Sequence, residues 1–170
     1  APANAAATKA LMATGGVMDP ISDFRVQEFS EEQMARAVEV ARRAGKRVMA
    51  HAEGTAGIKA AVRAGVNSVE HGTVLDDEGA ALMARQGTWL VPTLYTFQRS
   101  AEVAASLGAD PVSVAKAKAI LPLQRAGFEA ALRHRVKIAY GLDDDPEFVS
   151  KEFGALVAGG LSPLGAIQAA

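Results

Sequence analysis

Two histidines and a run of carboxylates are the residues of this chain best placed to do chemistry. His51 ends the phrase Arg47-Val48-Met49-Ala50-His51, and His71 ends Val66-Asn67-Ser68-Val69-Glu70-His71. Asp143, Asp144 and Asp145 follow a third apolar run, Val136 to Tyr140. Imidazole nitrogens and carboxylate oxygens ligate divalent ions and exchange protons near neutral pH. Cysteine is absent, which excludes disulfides, thiolate ligands and a cysteine nucleophile, and leaves His, Asp, Glu and Lys as the candidate ligands or acid/base groups.

The elements that must position these residues repeat one phrase, in which a helical pattern closed by glycine is followed by a short apolar run. Ser30-Glu31-Glu32-Gln33 is a capping box, with Phe29 and Met34 as its hydrophobic staple, and the helix it opens should end at Gly45. A strand over Arg47 to Ala50 follows. The phrase recurs with Ile58, Ala61 and Val62 before Gly65 and strand Val66 to Glu70, then with Ala80, Leu82 and Met83 before Gly87 and strand Thr88 to Pro92. Such units predict parallel strands joined by helical crossovers, with both histidines at one end of the sheet. Asp110-Pro111 predicts the start of a long helical stretch toward Arg135, kinked or divided at Pro122 and Gly127. A further helix runs from Phe148 to Gly159, and Ser162-Pro163 caps a last short one. Ala10 to Ala13 reads as a buried strand before a Gly15-Gly16 turn, Trp89 as core, and His134 as an exposed residue at a helix end. The expectation is an α/β chain with five parallel strands, organised as one domain over residues 1–170.

A near balance of 18 Lys+Arg and 19 Asp+Glu gives no basic field, so a nucleic acid or an anionic membrane is not an expected partner. No run is long enough to span a bilayer and no signal peptide is visible in this chain, so a soluble, cytoplasmic protein is expected.

The phrases His51-Ala52-Glu53-Gly54, Val69-Glu70-His71-Gly72-Thr73 and Val91-Pro92-Thr93-Leu94, in that order, resemble the amidohydrolase superfamily. Within it they are most similar to the branch of imidazolonepropionase-like and prolidase-like metal-dependent hydrolases, from about Met12 to Ala170. The resemblance implies a partial (β/α)8 TIM barrel, with this chain supplying the strands that correspond to strands 4–8 and their outer helices. It also implies a site for one or two ions, zinc or another divalent metal, at the C-terminal strand ends. His51 and His71 would then ligate the same metal from the fifth and sixth strands, and Asp143, in Gly141-Leu142-Asp143, would hold the other metal and the attacking water. A metal-bound hydroxide would be the nucleophile, with a carboxylate passing its proton to the leaving amine.

Four departures accompany the resemblance. The first-strand His-x-His pair is not in this chain. The position of the fourth-strand lysine that bridges two metals in such enzymes falls on Ala10, one residue from Lys9, and a slip of one residue reverses the face of a strand. Glu53 stands where many relatives carry a second histidine, and the loop after Asp143 lacks the family's Pro-His-Gly stretch. Two functions follow. One is metal-dependent hydrolysis of an amide or related bond in a peptide or cyclic amide, with a small-molecule or peptide substrate. The other is a catalytically silent partial barrel with a structural role. Five strands leave two open edges, so a homo-oligomer or association with the missing barrel strands is expected.

Overall fold

The computed structural model of the chain describes residues 9–103 and 105–170. Strands β1 (Lys9–Met12), β2 (Val48–Ala52), β3 (Ser68–His71), β4 (Trp89–Val91) and β5 (Lys137–Ile138) form one sheet. Their order across the sheet is their order in the chain, and every pairing is parallel. The links carry helices α1 (Glu31–Arg43), α2 (Thr55–Ala64), α3 (Asp77–Gln86) and the pair α4 (Leu94–Val103) and α5 (Pro111–Arg133). After β5 come a 3-10 turn, Pro146–Phe148, and helices α6 (Val149–Ala158) and α7 (Pro163–Gln168). Sequential parallel order with a helical crossover at each step is the winding of a (β/α)8 barrel, here five strands wide.

Local chemistry accounts for most of these boundaries. Ser30 and Gln33 form the reciprocal capping box that opens α1. Gly65 and Gly87 take the left-handed conformation that closes α2 and α3 and turns the chain into the next strand. Asp110 caps α5. Contrary to the expected division, α5 passes Pro122 unbroken, because Ile120, Gln124, Phe128 and Ala131 are buried along it and that packing outweighs one missing backbone bond. Gly127 lets the same helix lie against the loop after β3, where an added Cβ would sit 3.1 Å from the Leu75 nitrogen. Helix α4 is an element the sequence patterning missed.

The two faces of the sheet differ. Val48, Ala50, Ala52, Val69 and Leu90 are buried against Ile58, Val62, Met83 and Leu156 of the helices, and form the main core. Met49, His51, Ser68 and Glu70 alternate with them toward the other face, which in a closed barrel is its interior. Trp89, expected to be core, lies on that inner face and is 43% exposed, because its strand neighbour Leu90 takes the buried side. A second cluster, including Val17, Phe24, Phe97 and Ile120, packs above the C-terminal strand ends. Among the described residues no helix is long and apolar enough to cross a membrane.

Candidate active site

The site is built where β2, β3 and the loops after β4 and β5 come together. His51 is the fourth residue of β2, on its inner face. His71 ends β3 with a left-handed backbone, φ 69°, and Gly72 follows at φ 58°, a pair that carries the imidazole away from the strand's regular alternation and toward His51. The ring centroids are 4.8 Å apart and the planes are inclined at 71°. Asp143, in the loop after β5, brings Oδ2 to 4.0 Å from His71 Nε2. The two histidines and Asp143 line one cavity of about 470 Å3, together with Glu53, Glu70 and Thr93. Of four non-glycine residues with positive φ among the described residues, His71, Thr93 and Asp143 are three, and backbone strain of this kind gathers at functional sites.

Hydrogen bonds orient the rings. His71 Nδ1 is 2.8 Å from Thr93 Oγ1, which leaves Nε2 facing the cavity. His51 Nε2 lies 3.3 Å from the Gly15 carbonyl oxygen and 3.7 Å from Glu53 Oε1. Glu53 is buried, and its carboxylate accepts from the Val17 amide at 3.1 Å and from the Thr73 hydroxyl at 3.5 Å, tying the loops after β1 and β3 to the end of β2. Burial dominates the electrostatics. It pushes His71 down to about 3, with the neighbouring His51 adding to the effect, and lowers His51 against the opposing pull of the Gly15 carbonyl and Asp143. It pushes Glu53 up to about 7 against its two hydrogen bonds. Asp143 is also raised by desolvation, partly offset by His51, although its side chain is two-thirds exposed at the cavity mouth. Both imidazoles are therefore neutral at physiological pH, and the His51–Glu53 contact is not a fixed ion pair.

His51, His71 and Asp143 thus meet as the strand-end spacing predicts. Other residues behave differently. The β1 register sets Ala10 opposite Met49 and Met12 opposite His51, so Ala10 lines the cavity, while the side chain of Lys9 lies outside the described residues. Glu70 lines the cavity but accepts its hydrogen bond from Ser68 at 2.6 Å rather than meeting a histidine. Tyr95 packs toward Phe148, with ring centroids 5.7 Å apart, and His134 pairs with Asp77 on the far surface. The site residues that sequence reasoning missed are Thr93 as partner of His71 and Glu53 as a buried anchor. The donor set suits a divalent ion, since two uncharged imidazoles stand beside a carboxylate. Among the described residues, however, no three of His, Asp and Glu close on a common point.

The model of the amidohydrolase family matches residues 2–170. The ochratoxinase of Aspergillus niger is 37% identical over 165 residues, covering 94% of this chain and 34% of the relative, so the chain spans about a third of that protein's length. The crystal structure of that ochratoxinase superposes with a TM-score of 0.84 at 35% identity, over 96% of this chain and 37% of the other. A Xaa-Pro dipeptidase with methionine bound in its active site gives a TM-score of 0.88 at 34% identity, over 95% and 41%. A prolidase complexed with N-methylphosphonate-L-proline gives 0.85 at 35%, over 94% and 40%.

Proposed function

This chain belongs to the amidohydrolase family, and we propose that it hydrolyses an amide or related bond of a peptide or other small substrate, with zinc or a similar divalent ion held by His51, His71 and Asp143. The observation that carries the reading is the convergence of two neutral imidazoles, 4.8 Å apart, beside a carboxylate at the C-terminal ends of parallel strands. When bound, the ion supplies Lewis acidity toward a carbonyl oxygen and acidifies water. His51 and His71 offer nitrogen lone pairs for which protons do not compete, because burial keeps them uncharged. Asp143, at the mouth of the cavity, can accept a proton from water and return it to a departing amine nitrogen. Glu53 holds the loop wall through the Val17 amide and limits the space beside His51.

The names of the relatives suggest the first substrates to try, Xaa-Pro dipeptides and ochratoxin. The test is zinc titration by calorimetry of the chelator-stripped chain, wild type against the His51→Ala/His71→Ala double variant, alongside hydrolysis of those substrates. Zinc binding that disappears in the double variant is expected, and equal binding by both chains refutes the assignment.

Two observations favour a second reading, in which the chain is catalytically silent alone and works by association with another copy or with a chain that supplies further strands. No three-residue ligand cluster closes among the described residues, and Ala10 rather than a ligand lines the cavity from β1. Hydrolysis by the purified chain under conditions in which it is monomeric excludes it.

A further inference from the structure

The turn between β4 and α4 holds the partner of His71, and its hydrogen bonds are distributed in an unusual way. The first amides of a helix have no partner within it, and a Ser, Thr, Asp or Asn directly before the helix ordinarily accepts from them. Thr93 occupies that place before Leu94. Its hydroxyl instead lies 2.8 Å from His71 Nδ1, and its backbone stands at φ 45°, a conformation that a β-branched residue rarely adopts. One of the amides it would serve, that of Tyr95, is taken together with the Leu94 amide by Glu152, which reaches across from α6. Glu152 Oε1 accepts from the Leu94 amide at 3.0 Å and Oε2 from the Tyr95 amide at 2.7 Å. Glu152 is fully buried and makes these contacts across 58 and 57 residues of chain. The same turn is gripped twice more, by Gln124 Nε2, which donates to the Pro92 carbonyl at 3.3 Å, and by the Thr96 hydroxyl, which donates to the carbonyl of Leu142 beside Asp143.

We infer that Glu152 is a positioning residue for His71: by capping α4 from a distance, it releases the Thr93 hydroxyl from that duty and locks the strained turn in which Thr93 fixes the histidine. A hydrogen bond at one ring nitrogen fixes the ring's orientation, and where that nitrogen is the donor it also fixes the tautomer and the nitrogen left free. With Nδ1 donating to Thr93 Oγ1, Nε2 carries its lone pair toward the cavity, where it faces Asp143. The consequence for ion binding rests on the proposed reading of His71 as a ligand, whereas the coupling between Glu152 and the His71 ring does not. Without Glu152, two amides at the start of α4 lose their acceptor, and the Thr93 hydroxyl, in the position from which a capping residue ordinarily serves the Tyr95 amide, is drawn away from His71.

The test is a long-range proton–nitrogen correlation spectrum of the imidazoles in the metal-free chain, which reads the tautomer of each histidine. Wild type is expected to show His71 in one tautomer, protonated at Nδ1. Glu152→Ala and Thr93→Val should both shift the His71 tautomer ratio toward the other form by about fivefold, roughly the worth of one hydrogen bond, while His134 on the far surface stays unchanged. Glu152→Gln, which keeps one acceptor, covers the case in which the alanine variant does not fold, and adding Thr93→Val to it should shift the ratio no further than Thr93→Val alone. Leu156→Ala, a core truncation on the same helix, controls for loss of stability and should leave the tautomer as in wild type. Glu152 variants that lose stability as Leu156→Ala does while keeping the wild-type His71 signals overturn the inference. A wild-type chain that shows the coupling but binds no zinc overturns the proposed function and leaves the coupling standing.

Discussion

Glu152 also makes stability depend on pH in a direction that can be worked out. Burial pushes its carboxyl from the ordinary 4.5 up to about 7, against the Tyr95 and Leu94 amides that pull it down. In the unfolded chain the group ionises near 4.5, so between that value and about 7 the folded state binds more protons than the unfolded state, and stability falls as pH rises through the window. The full displacement is worth about 3 kcal/mol. By the linkage relation about 1 kcal/mol of that has been lost at pH 5, and about 2 kcal/mol more is lost by pH 8. The Glu152 charge reaches Tyr140, whose pKa is raised by burial and then by that charge, so Tyr140 stays neutral throughout. Glu152→Gln removes the titration and leaves a constant penalty of about 1–3 kcal/mol for the amide that loses its acceptor. Urea unfolding of wild type and variant at pH 5 and pH 8 therefore has a defined outcome, in which the advantage of wild type at pH 5 shrinks by about 2 kcal/mol at pH 8. A difference that is the same at both pH values, or that widens with pH, refutes the argument and makes Glu152 a permanently charged cap.

Three further outcomes are expected. Asp143→Asn should keep more of the bound zinc than of the hydrolytic rate, since the amide oxygen is a weak ligand but accepts no proton; parallel loss of both in calorimetry and a substrate assay would make Asp143 a ligand alone. Gly57→Ala should destabilise by about 1–3 kcal/mol, although the same change normally favours a helix, because the added Cβ would lie 2.3 Å from Thr14 Cγ2; a rise in the midpoint of thermal unfolding would contradict it. In light scattering at micromolar concentration the chain should exceed its monomer mass of 17.6 kDa, since two strand edges are open and Met12 and Trp89 are exposed on the inner face. A monomer that binds no hydrophobic dye would show that this face needs no cover.

What could be read from the sequence was what neighbouring residues decide. Gly65 and Gly87 end helices because only glycine takes left-handed geometry at little cost, and each is followed by a strand at the place the pattern predicts. The meeting of His51 and His71 was legible for the same reason, as one crossover separates adjacent parallel strands. Helix α4 was not legible. Its opening residues, Leu94-Tyr95-Thr96-Phe97, include aromatic and β-branched types of modest helix propensity, and its cap comes from another helix far along the chain. A trace of Glu152's role did lie in the sequence, since it stands four residues before Leu156 and three before Ala155 and so shares their buried helical face. Trp89 could likewise have been assigned to the face opposite Leu90 by simple alternation.

The sheet position of each candidate ligand decides how firmly it is held. His51 is paired on both sides, with Met12 of β1 and Glu70 of β3, and His71 pairs with Ala52 of β2 while β4 holds the residue before it, so the ladder fixes the backbone that carries the imidazoles. Asp143 follows β5, an edge strand of two residues paired on one side only. Its loop is anchored by side chains instead: the Thr96 hydroxyl on the Leu142 carbonyl, and Arg99, whose guanidinium lies 3.3 Å from Asp144 and 4.5 Å above the Phe148 ring. Side-chain anchors yield more readily than a paired strand, because moving them breaks one contact and not a ladder. The nitrogen half of the site is therefore preset by the fold. The 4.0 Å between His71 Nε2 and Asp143 Oδ2 is a distance that the Asp143 loop can change without disturbing either histidine.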